Sequence, residues 1–315
     1  KEILKKNHIP TAGYEVFEDY EESKQYISAS KFPIVIKADG LAAGKGVTIA
    51  HSAEEAHQAL DDAMQKKIFG SAGTKVVIEN FLEGEEASFI VLCDGKKTIP
   101  FASSQDHKAR DNNDLGPNTG GMGAYSPAPI VTEEIHKQVM EKIIKPTIDG
   151  LKSEGITYKG FLYAGLMIKN SEISVLEFNC RFGDPETQPI LMRMESDLAE
   201  ICLLAAQGNL NEREISWTKD SALGVVIASK GYPFEYEKNK EINNLENENS
   251  RQKVFHAGTK TQEGKVLSNG GRVLCVTALG STLLDSKNLA YQKVKNIDWK
   301  DGFYRDDIGD KAIKS

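Results

Sequence analysis

The sequence has no long apolar run, no closely spaced cysteine pair and no excess of positive charge, and each absence removes a class of function. The longest apolar stretches, such as residues 160–168, fall far short of the roughly 20 residues a helix needs to cross a bilayer, so no membrane role is expected. No targeting segment is visible. Cys93, Cys180, Cys202 and Cys275 lie far apart, without the spacing of zinc or redox motifs, and reduced thiols in a cytoplasmic protein are the expectation. With 46 acidic against 39 Lys and Arg residues, the formal net charge of -7 repels a phosphate backbone, and nucleic acid is not an expected partner. Internal repeats are absent, and His107 has no Ser or Cys partner in a nucleophile motif, which disfavours a hydrolase triad. No methionine precedes Lys1, so the chain reads as starting inside a longer polypeptide.

What is present is a chain of 315 residues, 27% charged with both signs interspersed, long enough for two or three packed domains. The β-branched run Ile34-Val35-Ile36 breaks at Asp39-Gly40 and resumes at Val47 to Ala50, a strand, loop and strand. Ser52 with Glu55 opens a helix running to Lys67, and Val76 to Glu79 is the next strand. Asp94-Gly95 reads as a hairpin turn between 88–92 and 97–101, whereas 115–125 is too glycine-rich for regular structure and reads as a functional loop. Apolar residues at helical spacing predict a helix over 132–151, kinked at Pro146. Strands follow at 161–168 and 173–179, then a helix at 197–206 stopped by Gly208. A polar surface excursion (239–251) leads into a smaller mixed region with strands at 254–257 and 272–277 and a last helix near 283–294.

Three segments carry possible chemistry. Between Lys37 and Gly46 the glycines Gly40, Gly44 and Gly46 accompany Lys37 and Lys45, residues that approach and neutralise phosphates. A Walker loop needs four residues before its Gly-Lys and a helix after it. Gly40 and Gly44 enclose three, and a strand follows Gly46, so the alternatives are a phosphate-covering hairpin or a plain flexible one. Glu177 and Asn179, two apart in a strand, share a face while Leu176 and Phe178 point to the core; they are either a pair of hard oxygen ligands suited to Mg²⁺ or a solvated strand face. The turn after them, 180–186, packs Arg181, Asp184 and Glu186 around Gly183. Glu79, Phe81, Leu82 and Glu86 form either an adenosine-reading connector or an acidic surface turn.

Taken in order, these segments resemble the ATP-grasp superfamily, and within it the phosphoribosylamine–glycine ligases, also called glycinamide ribonucleotide synthetases. The phrases that carry the resemblance span 34–46, 84–89, 105–108, 116–127, 160–165, 255–259 and 269–277, and the most specific is 177–188, Glu-Phe-Asn-Cys-Arg-Phe-Gly-Asp-Pro-Glu-Thr-Gln. The resemblance implies an α+β, ATP-grasp fold, two α+β subdomains enclosing the nucleotide, with a smaller mixed α/β C-terminal domain. The expected division is a central subdomain at 1–18 and 88–220, a lid subdomain at 19–87 and a C-terminal domain at 221–315. It further implies ATP held by Lys1, Lys37, Gly44, Lys45, Gly46, Glu79, Phe81, Leu82 and Glu86, with Mg²⁺ or Mn²⁺ on Glu177 and Asn179. Lys37, Arg181 and Asp184 are implied near the reacting groups. Family members begin with a further domain that has no counterpart in this sequence.

By the same resemblance, the γ-phosphoryl group of ATP passes to glycine and the amine of 5-phosphoribosylamine displaces phosphate from the resulting glycyl phosphate. Three other readings compete: another ATP-grasp carboxylate–amine ligase, a catalytically silent nucleotide-binding module, and a glycine-rich scaffold without a ligand.

Overall fold

A computed structural model describes residues 1–40, 46–211, 213–246 and 249–314. The chain divides into two compact units, one made of Pro10–Gly84 and the other of Lys1–Ile9 with Glu85–Ser315.

In the unit Pro10–Gly84 the strands Tyr14–Phe17, Val76–Asn80, Ile34–Ala38 and Val47–Ala50 lie in that order in a four-stranded antiparallel sheet. The alternation Ile34, Ile36 and Val76, Ile78 turns one face inward, and Ile27, Ala56 and Leu60 from the helices Tyr20–Ala29 and Ala53–Leu60 fill that core. Both helices start where a short polar side chain takes up an orphan amide: Asp19 accepts from the Glu22 N–H and Ser52 from the Glu55 N–H. The second helix continues beyond Leu60 through a wider turn at Asp61–Gln65, in line with the helical expectation for 52–67.

The other unit is built on two larger sheets, beside a three-stranded one of Glu241–Ile242, Lys265–Ser268 and Thr259–Gln262 and a two-stranded one of Ala109–Asp111 and Leu115–Asn118. Its four-stranded sheet runs Glu172–Asn179, Lys159–Lys169, Glu85–Asp94, Thr98–Pro100. Phe89, Val91, Leu162, Ala164 and Leu166 cover one face and pack against Ile135, Val139, Ile143 and Ile144. Those four residues lie in one helical stretch, Glu133–Val139, Met140–Ile144 and Lys145–Ser153, whose middle turn widens just before Pro146. The proline removes an amide, and the wider turn is where the helix absorbs it.

The second sheet has the order Gln252–His256, Arg272–Gly280, Ser221–Ser229, Gly123–Ser126, Gln105–Asp106, with Gly302–Phe303 also paired to Ser221–Ser229. Here the structure corrects the reading of 115–125 as irregular: Leu115–Asn118 is a strand, and Gly123–Ser126 is an inner, buried one. The glycine at 123 is what permits it, because a Cβ there would lie 2.7 Å from the Gly224 carbonyl oxygen of the paired strand. The helix Leu283–Asn296 closes this sheet through Ala290 and Val294. Among the described residues no helix is long and apolar enough to cross a membrane.

Candidate active site

One extra residue in a strand sets the direction of the candidate metal pair. Ile173 and Val175 face the core opposite Ile168 and Leu166, and strict alternation would send Glu177 and Asn179 the same way. The register instead passes from Leu166↔Val175 to Gly165↔Glu177, so Leu176 is a bulge and the face reverses beyond it. Phe178 then packs on the core with Ala164, while Glu177 and Asn179 share the opposite face with Gly165 and Tyr163. The Asn179 amide lies 3.4 Å from Glu177 Oε1, so the two side chains are neighbours. Gly165 makes room, since a Cβ there would stand 3.2 Å from Glu177 Cγ.

The same face carries Glu86 and Ser88 from the adjoining strand, which pair with Met167 and Gly165. Lys108 Nζ meets Glu86 Oε2 at 2.6 Å. Burial works against its charge, but Asp106, Glu86 and Glu177 together hold the Lys108 ammonium above the ordinary lysine range. The Asp106 carboxyl pKa also rises: burial raises it, with Glu186 and Glu86 adding to the rise and Lys108 opposing it. Beneath them Glu186, only 2% exposed, accepts a 2.8 Å hydrogen bond from the Ser88 hydroxyl, which also lies 3.0 Å from the Tyr163 hydroxyl. Lys108 and Asp106 stand outside the site residues expected from sequence, and Glu186 is expected there only as an acid of the turn 180–186. Asp106 and Glu186 lie in or after polar segments, a weak signal; that Lys108 pairs with Glu86 is a long-range fact of the sheet.

Among the described residues no three His, Cys, Asp or Glu side chains gather into a metal-holding group. A cation on Glu177 and Asn179 would therefore complete its shell with water and phosphate oxygens, as Mg²⁺ commonly does. The electrostatics are compatible, because acidic groups, Asp106, Glu86 and Glu177, gather around the single ammonium of Lys108, where a divalent ion would add positive charge.

The remaining expected residues fall as follows. Lys37, inside its strand, forms a 3.0 Å ion pair with the buried Glu79, both within the unit Pro10–Gly84. Phe81 and Leu82, half-buried, follow the strand Val76–Asn80 in that unit, while Glu86 belongs to the other. Gly46 closes the expected hairpin, its carbonyl accepting the Ala38 N–H at 2.8 Å, and a strand follows as the non-Walker reading requires. Gly44 and Lys45 lie outside the described residues. The Lys1 carbonyl accepts the Lys5 N–H at the start of the first helix. Arg181 is exposed and donates to the neighbouring Phe182 carbonyl at 2.9 Å. Asp184 pairs instead with Arg272, at 2.7 Å.

His107, buried between the sheet and the C-terminal segment, is structural. Nδ1 lies 3.3 Å from the Gly123 carbonyl and Nε2 accepts the Gly309 N–H at 3.2 Å, an arrangement that suits the neutral ring. Burial, aided by Arg305, pushes its pKa down to about 4. A depressed histidine binds its proton more readily in the unfolded chain, so its contribution is full above the unfolded value near 6.5 and is lost as the pH falls through about 4. That contribution is on the order of 3 kcal/mol. Melting temperatures from pH 7 to pH 4.5 should fall more steeply for the parent than for His107→Gln, and parallel curves would remove His107 from the acid sensitivity.

The chain has an ATP-grasp fold, as its match to a family model shows. The phosphoribosylglycinamide synthetase ATP-grasp (A) domain matches residues 1–187 and the C domain of the same synthetase matches residues 222–311. The chain belongs to the phosphoribosylglycinamide synthetase family. It is 52% identical over 314 residues to the phosphoribosylamine–glycine ligase of Pasteurella multocida, covering 99% of this chain and 73% of that protein. To the ligase of the same name from Salmonella typhimurium it is 54% identical over 317 residues, covering 100% of this chain and 74% of that one. The crystal structure of the phosphoribosylamine–glycine ligase of Thermotoga maritima superposes with a TM-score of 0.90 at 35% identity, over 98% of this chain and 76% of that one.

Proposed function

We propose that this chain joins glycine to 5-phosphoribosylamine, consuming ATP and giving glycinamide ribonucleotide, ADP and phosphate, a step of purine synthesis in the cytoplasm. The observation that carries the proposal is the 52% identity, over 99% of the chain, to a protein named for that reaction. A carboxylate resists an amine because its oxygen leaves poorly, so it must first be activated. A glycine carboxylate oxygen attacks the γ-phosphorus of ATP, the bond to the β,γ-bridging oxygen breaks, and ADP departs. The amine nitrogen then attacks the acyl carbon of glycyl phosphate, phosphate leaves with the bonding pair, and the nitrogen loses a proton.

Such a transfer needs alignment and charge neutralisation more than covalent chemistry. In this reading Lys37, Lys45 and the amides near Gly44 and Gly46 neutralise and cover the phosphates, and Lys1, Glu79, Phe81, Leu82 and Glu86 bind the nucleotide. Glu177 and Asn179 hold the divalent ion, Mg²⁺ with Mn²⁺ as substitute, which when bound neutralises phosphate oxygens. Asp184 and Arg181 lie beside the reacting groups. The division into a central part, a lid at 19–87 and a C-terminal part at 221–315 belongs to the same reading.

The test is ADP release with a panel of small carboxylic acids and amines, the unstable 5-phosphoribosylamine being generated in place from ribose 5-phosphate and ammonia. ADP formation that requires both glycine and the ribosylamine supports the proposal; a preference for another acid or amine replaces it with another ATP-grasp ligase. Lys37→Met should raise the KM for ATP by about tenfold or more, a loss of charge-assisted contact. Because the change also leaves Glu79 without its lysine, the melting temperature is measured beside the kinetics. Unchanged ATP kinetics in a stably folded variant would make Lys37 structural.

A further inference from the structure

The glycine-rich turn 119–123 offers no row of unused amides to an anion. Thr119 N–H donates to the Lys108 carbonyl at 2.8 Å, Gly120 N–H to the Tyr232 hydroxyl at 3.0 Å, Gly121 N–H to the Thr119 hydroxyl at 3.0 Å and Met122 N–H to the His107 carbonyl at 2.8 Å. The glycines serve close packing instead. A Cβ on Gly120 would lie 2.7 Å from the Arg272 guanidinium carbon, and one on Gly121 would lie 2.4 Å from the Pro185 ring. The turn is thus pressed between Arg272 and the segment that follows the candidate metal strand.

Arg272 clasps both sides. Its Nη1 donates to the carbonyls of Gly120 at 2.6 Å, Gly121 at 3.4 Å and Asp184 at 3.0 Å, while Nη2 donates to Asp184 Oδ2 at 2.7 Å. The arginine is itself aimed by a bulge: the register passes from Ile227↔Leu274 to Ala228↔Arg272, leaving Val273 as the extra residue. Gly271 next to it lets the Tyr232 ring approach, since a Cβ there would stand 2.3 Å from that ring. A planar fork can hold a carboxylate and several carbonyls in one orientation, which an ammonium cannot.

We propose that Arg272 is a positioning residue of the ligase, fixing the Asp184 carboxylate and, through Pro185 and Glu186, the floor of the site against the Gly120–Gly121 turn. The inference rests on the ligase reading, in which Asp184 lies beside the reacting groups. Asp184 is more than half exposed and its carboxylate is held on one side by Arg272, so the guanidinium sets where the other side points.

The experiment measures steady-state kinetics and melting temperature for the parent, Arg272→Met, Arg272→Lys, Asp184→Asn and the double variant Asp184→Asn/Arg272→Met. Arg272→Met is expected to lower kcat by roughly 10²-fold, the scale of a misplaced reacting group, with the KM for ATP unchanged. Arg272→Lys should recover little of this, millimolar guanidinium should restore part of it, and the double variant should be no slower than the slower single one. Normal turnover in folded Arg272→Met or Arg272→Lys, or independent losses in the double variant, would overturn the proposal. A parent that forms no amide from glycine and 5-phosphoribosylamine would overturn the ligase reading itself, a failure visible before any variant is compared.

Discussion

Glu177→Gln is expected to lower metal-dependent turnover by well over about tenfold while the melting temperature stays within about 2 °C of the parent. The substitution keeps the shape of the side chain and removes its charge. Glu177 is exposed on the strand face beyond the Leu176 bulge, so little packing is lost. What changes is electrostatic: Glu177 is one of the carboxylates that hold Lys108 charged, and with Asn179 it is the proposed seat of the divalent ion. A higher metal concentration for half-maximal activity is the accompanying sign. Normal metal dependence and normal turnover would remove Glu177 from the metal site.

Arg305→Leu should produce the largest loss of stability, about 3 kcal/mol, and a melting temperature lower by roughly 6 °C or more. Arg305, 2% exposed, binds Asp307 through both of its carboxylate oxygens at 2.8 Å and donates at 3.0 Å to both the Ala109 carbonyl and Asp114. Leucine of similar volume leaves two carboxylates facing each other without the cation between them. Asp114 is partly solvated and Lys311 also reaches it, which keeps the expected loss at the lower end of the range for a broken buried pair. The arginine ties the hairpin that begins at Ala109, next to Lys108, to the C-terminal segment, so activity should decline with stability. Denaturant unfolding of parent and variant checks this; a loss under about 1 kcal/mol would show that the pairs are solvated and contribute little.

The elements that local pattern reveals were open to reading from sequence. The β-branched run at 34–36, the Asp94-Gly95 hairpin and the two strands around the turn near 170 all appear where alternation and turn chemistry put them. Two features were hidden for identifiable reasons. Nothing local distinguishes a glycine that binds phosphate from one that admits a neighbouring strand, so 115–125 read as a loop although Gly123 lies within the sheet. The Leu176 bulge was equally hidden. Glu177 and Asn179 do share a face, but Ile173 and Val175 continue the same alternation on the core side, and only the pairing with Gly165 reveals the reversal. Lys108 pairs with Glu86, 22 residues away, and Arg272 with groups 88 or more residues away in sequence, beyond the reach of any local pattern.

The central claim, activation of the glycine carboxylate by phosphoryl transfer from ATP, is tested most directly with glycine labelled by ¹⁸O in its carboxylate. Turnover with 5-phosphoribosylamine should transfer one labelled oxygen from each glycine to the released inorganic phosphate, because that oxygen bridges carbon and phosphorus in glycyl phosphate. Phosphate free of label, with amide product formed and ATP consumed, would contradict the account.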